Sequence, residues 1–113
     1  MTVQELTNAL PLQVISGQSS LSQEISGGFA SDLLSNVMGQ AHAGNVWVTM
    51  QGHQNIVAVA SLTGLSAIII AGGVEPDKDA IRKAVTEGIV ILTTTLSAFE
   101  VIGRLYQLGI RGE

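Results

Sequence analysis

Val46-Trp47-Val48-Thr49-Met50, followed by Gln51-Gly52-His53-Gln54-Asn55, decides the fold. An apolar run of strand length passes into a polar, glycine-containing loop, and a helix-length apolar run follows it. The same order returns twice. Residues 66–71 lead into Gly72-Gly73-Val74-Glu75-Pro76, and residues 89–92 lead into Thr93-Thr94-Thr95. Consecutive strand–loop–helix units build a parallel sheet with right-handed crossovers. The fold expected is therefore α/β, with a mostly parallel central sheet. In such a sheet the strand-to-helix loops emerge together on one edge, and ligands bind along it.

The flanking sequence fills in the other elements. Thr2-Val3-Gln4-Glu5 fits a capping box and predicts a short helix to about Leu10, which Pro11 ends. Residues 12–16 alternate as a strand, and Gly17-Gln18-Ser19-Ser20 reads as a turn. A second strand is expected near 24–30, with Gly27-Gly28 inside it marking a bulge or a close backbone approach. Ser31 or Asp32 then caps a short helix over 33–38, and a loop follows over 39–45.

The helix over 77–87 is amphipathic, with Ala80, Ile81, Ala84 and Val85 on its core face. The helix over 54–62 carries Ile56-Val57-Ala58-Val59-Ala60, apolar on all sides. Such a helix is buried on all sides, which in a small chain implies cover by a second subunit. The last helix, over 97–108, has Ser97 and Glu100 as a capping box and Gly109 as its stop.

Composition narrows the function. The chain has 113 residues, one domain's worth, and no cysteine, which excludes disulfides, thiolate metal sites and cysteine nucleophiles. Its first residues lack the basic and apolar regions of a signal peptide, and the longest apolar run, 65–71, falls far short of the roughly 20 residues a membrane span needs. No membrane association is expected, and the cytoplasm is the expected location. Formal net charge is −4, and the basic residues Lys78, Arg82, Lys83, Arg104 and Arg111 form no phosphate-binding footprint, so no nucleic acid is expected as a partner. Charged residues make up only 12% of the chain, against about 25% in an average soluble domain. So few charges imply a surface rich in Ser, Thr, Gln and Gly, apolar surface covered by a partner, or both, and a homodimer is expected.

No catalytic group stands out. There is no Gly-x-x-x-x-Gly-Lys-Ser/Thr loop, no nucleophile elbow, no paired carboxylates and no nucleophile–base pair. Neither an enzyme activity nor a cofactor is expected. His42 precedes the strand 46–50 and His53 follows it. A five-residue strand is about 17 Å long, so the two cannot share a metal. His53 stands beside Gly52 at a helix start, where it reads either as an anion contact or as an exposed loop residue near a cap. Thr93-Thr94-Thr95 reads equally as hydroxyl donors to a phosphate or sugar and as ordinary strand and cap residues. Gly72-Gly73 serves a backbone turn ahead of Pro76. Trp47 and Phe99 are lone aromatics read as core or interface packing.

The order of segments resembles the DRTGG domain. The residues that carry the resemblance are Leu12-Gln13-Val14-Ile15-Ser16-Gly17, the strand around Ile25, Ser31-Asp32-Leu33-Leu34, Gly44-Asn45-Val46-Trp47-Val48-Thr49 and Ile68-Ile69-Ile70-Ala71-Gly72-Gly73. It covers nearly the whole chain and extends to the N-terminal domains of HPr kinase/phosphorylase and of Mur ligases. His53-Gln54 stands where many members carry Asp-Arg, and Ala71-Gly72-Gly73 where they carry Thr-Gly-Gly. The resemblance implies a three-layer α/β/α domain like the N-terminal domain of HPr kinase. It also implies a regulatory module, of a kind that accompanies CBS domains or metabolic enzymes and, when free-standing, redox enzyme subunits.

Two functions are thus expected. One is a non-catalytic sensor that binds a small anionic metabolite or nucleotide. Its rim would be built from Ser31, Asp32, Gln51, Gly52, His53, Gly72, Gly73, Thr93, Thr94 and Thr95. The other is a ligand-free accessory module that docks on a larger enzyme.

Overall fold

The computed structural model describes residues 1–112. Five strands form one sheet in the order β1-β5-β4-β3-β2. They are β1 (Gln13–Ser16), β2 (Gly27–Ala30), β3 (Asn45–Thr49), β4 (Ala67–Ile70) and β5 (Ile91–Thr93). Strands β2 to β5 run parallel, while β1 joins the outer side of β5 antiparallel. The helices are α1 (Val3–Ala9), α2 (Leu34–Gln40), α3 (Asn55–Thr63), α4 (Lys78–Glu87) and α5 (Ala98–Gln107).

The sheet separates two apolar clusters, giving the three layers expected. On one face Val46, Val48, Ile69 and Leu92 meet Val3 and Leu6 of α1 and Val101 and Leu105 of α5. On the other, Trp47, Ile68, Ile70 and Ile91 meet Val37 of α2, Ile56 and Val57 of α3, and Ala80 and Ala84 of α4. Alternate strand residues serve alternate faces, so the central strands can be apolar throughout. No helix of the described residues is long and apolar enough to cross a membrane.

Several local expectations hold in detail. Thr2 and Glu5 form the capping box at the start of α1. The remaining amide hydrogens there are also used: Val3 N–H donates to the Gln23 carbonyl and Gln4 N–H to that of Leu21. The Glu5 carboxyl is held below the ordinary carboxylate range, first by the Thr2 backbone N–H and then by the Thr2 hydroxyl. At α5, Ser97 accepts from Glu100 N–H, but the Glu100 carboxylate bonds Arg104 at 3.0 Å, so only half the box forms. Gly64, Gly88 and Gly109 take left-handed backbone where helices end.

Other expectations are corrected. Strand β2 starts at Gly27, so the glycine pair opens the strand instead of interrupting it. A Cβ on Gly28 would stand 3.3 Å from Ile110, which accounts for the glycine by close approach. The turn expected after β1 is present, as a short 3-10 helix, Gln18–Ser20. Neither Ser31 nor Asp32 is the N-cap of α2; Leu33 occupies that position. Val85 is exposed, unlike Ala80 and Ala84. At about 100° per residue, it lies a quarter-turn or more past the stripe that α4 presents to the sheet.

The all-apolar helix α3 has a different explanation from the one its sequence suggests. It is the middle helix of its layer, packed between α2 and α4 of the same chain. Ile56, Val57, Val59 and Ala60 are buried without any second subunit.

Two outcomes follow. Val57→Glu puts an unpaired charge into a single-chain core at a cost of several kcal/mol. The expected result is loss of the far-UV circular dichroism of the fold, and a folded monomer would contradict the burial. The Glu5 carboxyl, lowered in the folded chain, stabilises α1 at neutral pH, and that stabilisation fades as pH falls through the lowered value. Acid titration of melting temperature should show this loss in the native chain and a flatter profile in Glu5→Gln.

Candidate functional site

Because β2, β3, β4 and β5 run parallel, their C-terminal ends share one edge of the sheet. Ser31 and Asp32, residues 50–53, Gly72 and Gly73, and residues 94–95 follow those ends. Antiparallel β1 begins at the same edge, with Gln13 directly opposite Thr93. All ten rim residues expected from the sequence are therefore at one edge. They fall into two groups with different duties.

The first group, over β2 and β3, holds the chain to itself. Asp32 Oδ1 accepts from the Thr49 hydroxyl and from Met50 N–H, both at 2.8 Å. Gln51 N–H donates to the Thr49 hydroxyl, and the Gln51 side chain donates to the Asp32 carbonyl. The Ser31 hydroxyl accepts from Leu33 N–H, while its carbonyl accepts from the Trp47 indole at 2.8 Å. His53 is exposed, and its Nδ1 accepts from Asn55 N–H at 3.2 Å. The imidazole thus covers one of the free donors at the start of α3, which matches the capping alternative. Gly52 is needed for space: a Cβ there would stand 2.7 Å from the Glu75 carbonyl oxygen. That contact and the bond from Asp77 N–H to the Gly52 carbonyl tie two rim loops together. His42 lies at the opposite end of β3.

The second group surrounds an open cleft of about 460 Å³ over β4, β5 and the start of β1. Gly73, Thr93, Thr94 and Thr95 line it, together with Thr7, Gln13 and Glu75. Gly72 and Gly73 both take φ of +73°, the turn for which glycine is suited. Their N–H groups donate to the carbonyls of Leu96 and Thr94, zipping the loop after β4 to the one after β5. The Met50 methyl group lies against Gly72, beside this junction. The Thr94 hydroxyl accepts from Leu96 N–H and keeps its own proton to donate.

Thr93 differs from its neighbours. The residue is only 9% exposed and its hydroxyl makes no hydrogen bond among the described residues, yet no buried side-chain oxygen there lacks a partner, so the hydroxyl is open to solvent. Among the described residues Glu75 is the one charged side chain along the cleft.

Thr7, Gln13 and Glu75 were not among the expected site residues. Thr7 and Gln13 reach the edge because β1 is antiparallel, which brings the α1–β1 link to the rim. β1 and β2 lie at opposite edges of the sheet, and residues 17–26, which contain only a 3-10 turn, join them without the helical crossover that strands of like direction need.

The fold and its edge define a small α/β/α domain with a polar rim at the strand ends. The chain belongs to the DRTGG domain family, whose model matches residues 5–108. Among solved structures it is similar to the CBS and DRTGG domains of the regulatory region of Clostridium perfringens pyrophosphatase, crystallised with the activator diadenosine tetraphosphate. The TM-score is 0.75 at 15% sequence identity, over 94% of this chain and 46% of that one. The chain thus spans about half the length of that neighbour. Comparison with curated protein sequences gives no match.

Asp32→Ala strips two partners from the β3 end, and the expected cost is about 1–3 kcal/mol of unfolding free energy. Urea denaturation measures it; an unchanged midpoint would mean that water replaces the carboxylate without loss.

Proposed function

We propose that this DRTGG domain is a non-catalytic regulatory module that takes a small ligand at the C-terminal edge of its sheet. The cleft over β4, β5 and β1 is the part of the edge that receives it. The observation that carries this reading is the cleft itself, lined by Thr93 and Thr94, whose hydroxyl protons no hydrogen bond among the described residues uses. A hydroxyl that faces water at a cleft can exchange that water for a ligand group.

The ligand class follows from the lining. Thr93, Thr94, Thr95 and Gln13 offer hydroxyl and amide groups, while Glu75 offers a carboxylate and no base stands against it. A compact anion would meet Glu75 without a counter-charge. A nucleotide fits better, because its sugar hydroxyls can donate to Glu75 and its base can bond Gln13 and the threonines. Its phosphates are then left towards water. The solved neighbour carries a dinucleotide activator, and that supports the class of ligand considered. In this reading Ser31, Asp32, Gln51, Gly52, His53 and Gly72 shape the edge, and Gly73 and Thr93–Thr95 make the contacts.

A second reading is a ligand-free accessory module that docks on a larger enzyme. The half-length match favours it, because the similar domain is one part of a longer regulatory region.

Thermal-shift measurements with adenosine, ATP and diadenosine tetraphosphate separate the two. A ligand at 100 times its dissociation constant adds about 2.7 kcal/mol, and each kcal/mol moves the midpoint of such a domain by about 4–8 °C. At least one of the three is expected to give such a shift, and Thr93→Val to reduce it while the free protein still melts cooperatively. No shift with any of them would replace this reading with the accessory one.

A further inference from the structure

We infer that the outer face of α5 is a self-association surface, on which a second copy of this chain packs with its own α5 antiparallel to the first. The inference stands independently of any ligand at the rim.

Phe99 is 89% exposed, more than any other large apolar side chain of the described residues. It is not isolated. Val101 and Leu105 turn α5 towards the sheet, while Phe99, Ile102, Gly103 and Tyr106 recur at i, i+3, i+4 and i+7. That spacing is a second apolar stripe: Phe99, Gly103 and Tyr106 are exposed on the side away from the core, and Ile102 lies at the stripe's edge, partly buried against the core. A helix in an outer layer should be polar there.

The stripe is symmetric about the point between Ile102 and Gly103. A two-fold axis through that point sets Phe99 of each copy beside Tyr106 of the other, and Ile102 beside Gly103, each contact occurring twice. Nothing of the chain itself stands within 4 Å of where a Cβ on Gly103 would be, so the space for an incoming isoleucine is open.

The two flanks of the stripe agree with this arrangement. On one, Glu100 and Arg104 form an ion pair within the helix at 3.0 Å. Antiparallel packing brings like flanks together with their order reversed, so Glu100 of one copy comes alongside Arg104 of the other. Opposite charges meet, whereas a two-fold parallel arrangement would turn this flank away from its own copy. On the other flank, an apolar groove of about 290 Å³ runs between α5 and the sheet, lined by Gly28, Ala30, Val48, Ile102 and Tyr106. Phe99 of the second copy arrives beside Tyr106, at the mouth of this groove. Arg111 stacks 4.6 Å from the Tyr106 ring and closes the rim with a cation. One patch therefore carries both the protruding aromatic and the hollow to receive it, with charges complementary to their own two-fold copy. This self-complementarity selects a second copy over an unrelated partner.

Sedimentation equilibrium at high micromolar concentration tests it. The native chain is expected at twice its mass of 11.7 kDa. Phe99→Glu is expected to give a folded monomer, because the side chain it replaces lies outside the core. Leu62→Glu, at another exposed apolar position, should remain dimeric. Glu100→Arg alone should weaken association, and Glu100→Arg with Arg104→Glu should restore it. A native chain that stays monomeric, or a Phe99→Glu chain that stays dimeric, overturns the inference.

Discussion

The parallel pairing of β3 with β4 is the constraint on which the remainder of the chain depends. Every side chain from Asn45 to Thr49 and from Ala67 to Ile70 is buried. Two adjacent strands with no wet face require a helical layer on each side, and α1 with α5 and α2 with α3 and α4 are those layers. Around β3 and β4 buried polar side chains are admitted only where the strands end, and there they are bonded. Asn45 accepts from His42 N–H and donates to Ser26; the Ser66 hydroxyl donates to the Asn45 carbonyl; Thr49 donates to Asp32. Since the middle of the sheet can hold no chemistry, any polar recognition must lie at a strand end.

Much of this architecture was legible. Three strand–loop–helix units, each with its breaker residues, state the parallel sheet and its crossovers without tertiary information. What failed was inference from one element to its surroundings. The all-round apolarity of α3 overstates its burial, since Leu62 is exposed, and periodicity does not say what covers Ile56, Val57, Val59 and Ala60. The short helix α2, with no cap from Ser31 or Asp32, has little local signal, yet it covers one flank of α3. The direction of β1 was hidden for a similar reason. Alternation fixes which side chains face the core and is indifferent to the direction in which a strand runs.

The candidate site was legible as a place and less so as a set of roles. Gly73, Thr93, Thr94 and Thr95 line the cleft, whereas Asp32, Gln51 and His53 spend their hydrogen-bonding capacity on nearby backbone. Residue type and position after a strand are the same in both groups. The difference lies in whether a backbone N–H or carbonyl of another loop comes within reach, and only the folded chain decides that. Glu75 shows the reverse case. It reads as a loop residue before a proline, and it becomes the cleft's one charge because Gly52 lets its loop lie close against the neighbouring one.

Finally, the outermost strands bear on how the domain avoids aggregation. An exposed strand edge is a template for another chain to extend the sheet. Here the Gly28 amide on the outer edge of β2 is already taken by the Arg111 carbonyl of the chain's own C-terminal segment. At the far side, β1 is only four residues long and its register slips between Val14 and Ser16, an irregularity that twists an edge away from further pairing. Both ends of the sheet are therefore poor starting points for cross-β growth. A chain with few charges to keep molecules apart gains most from such blunted edges, because self-contact is then steered to side-chain packing, which is reversible, and away from runaway backbone pairing.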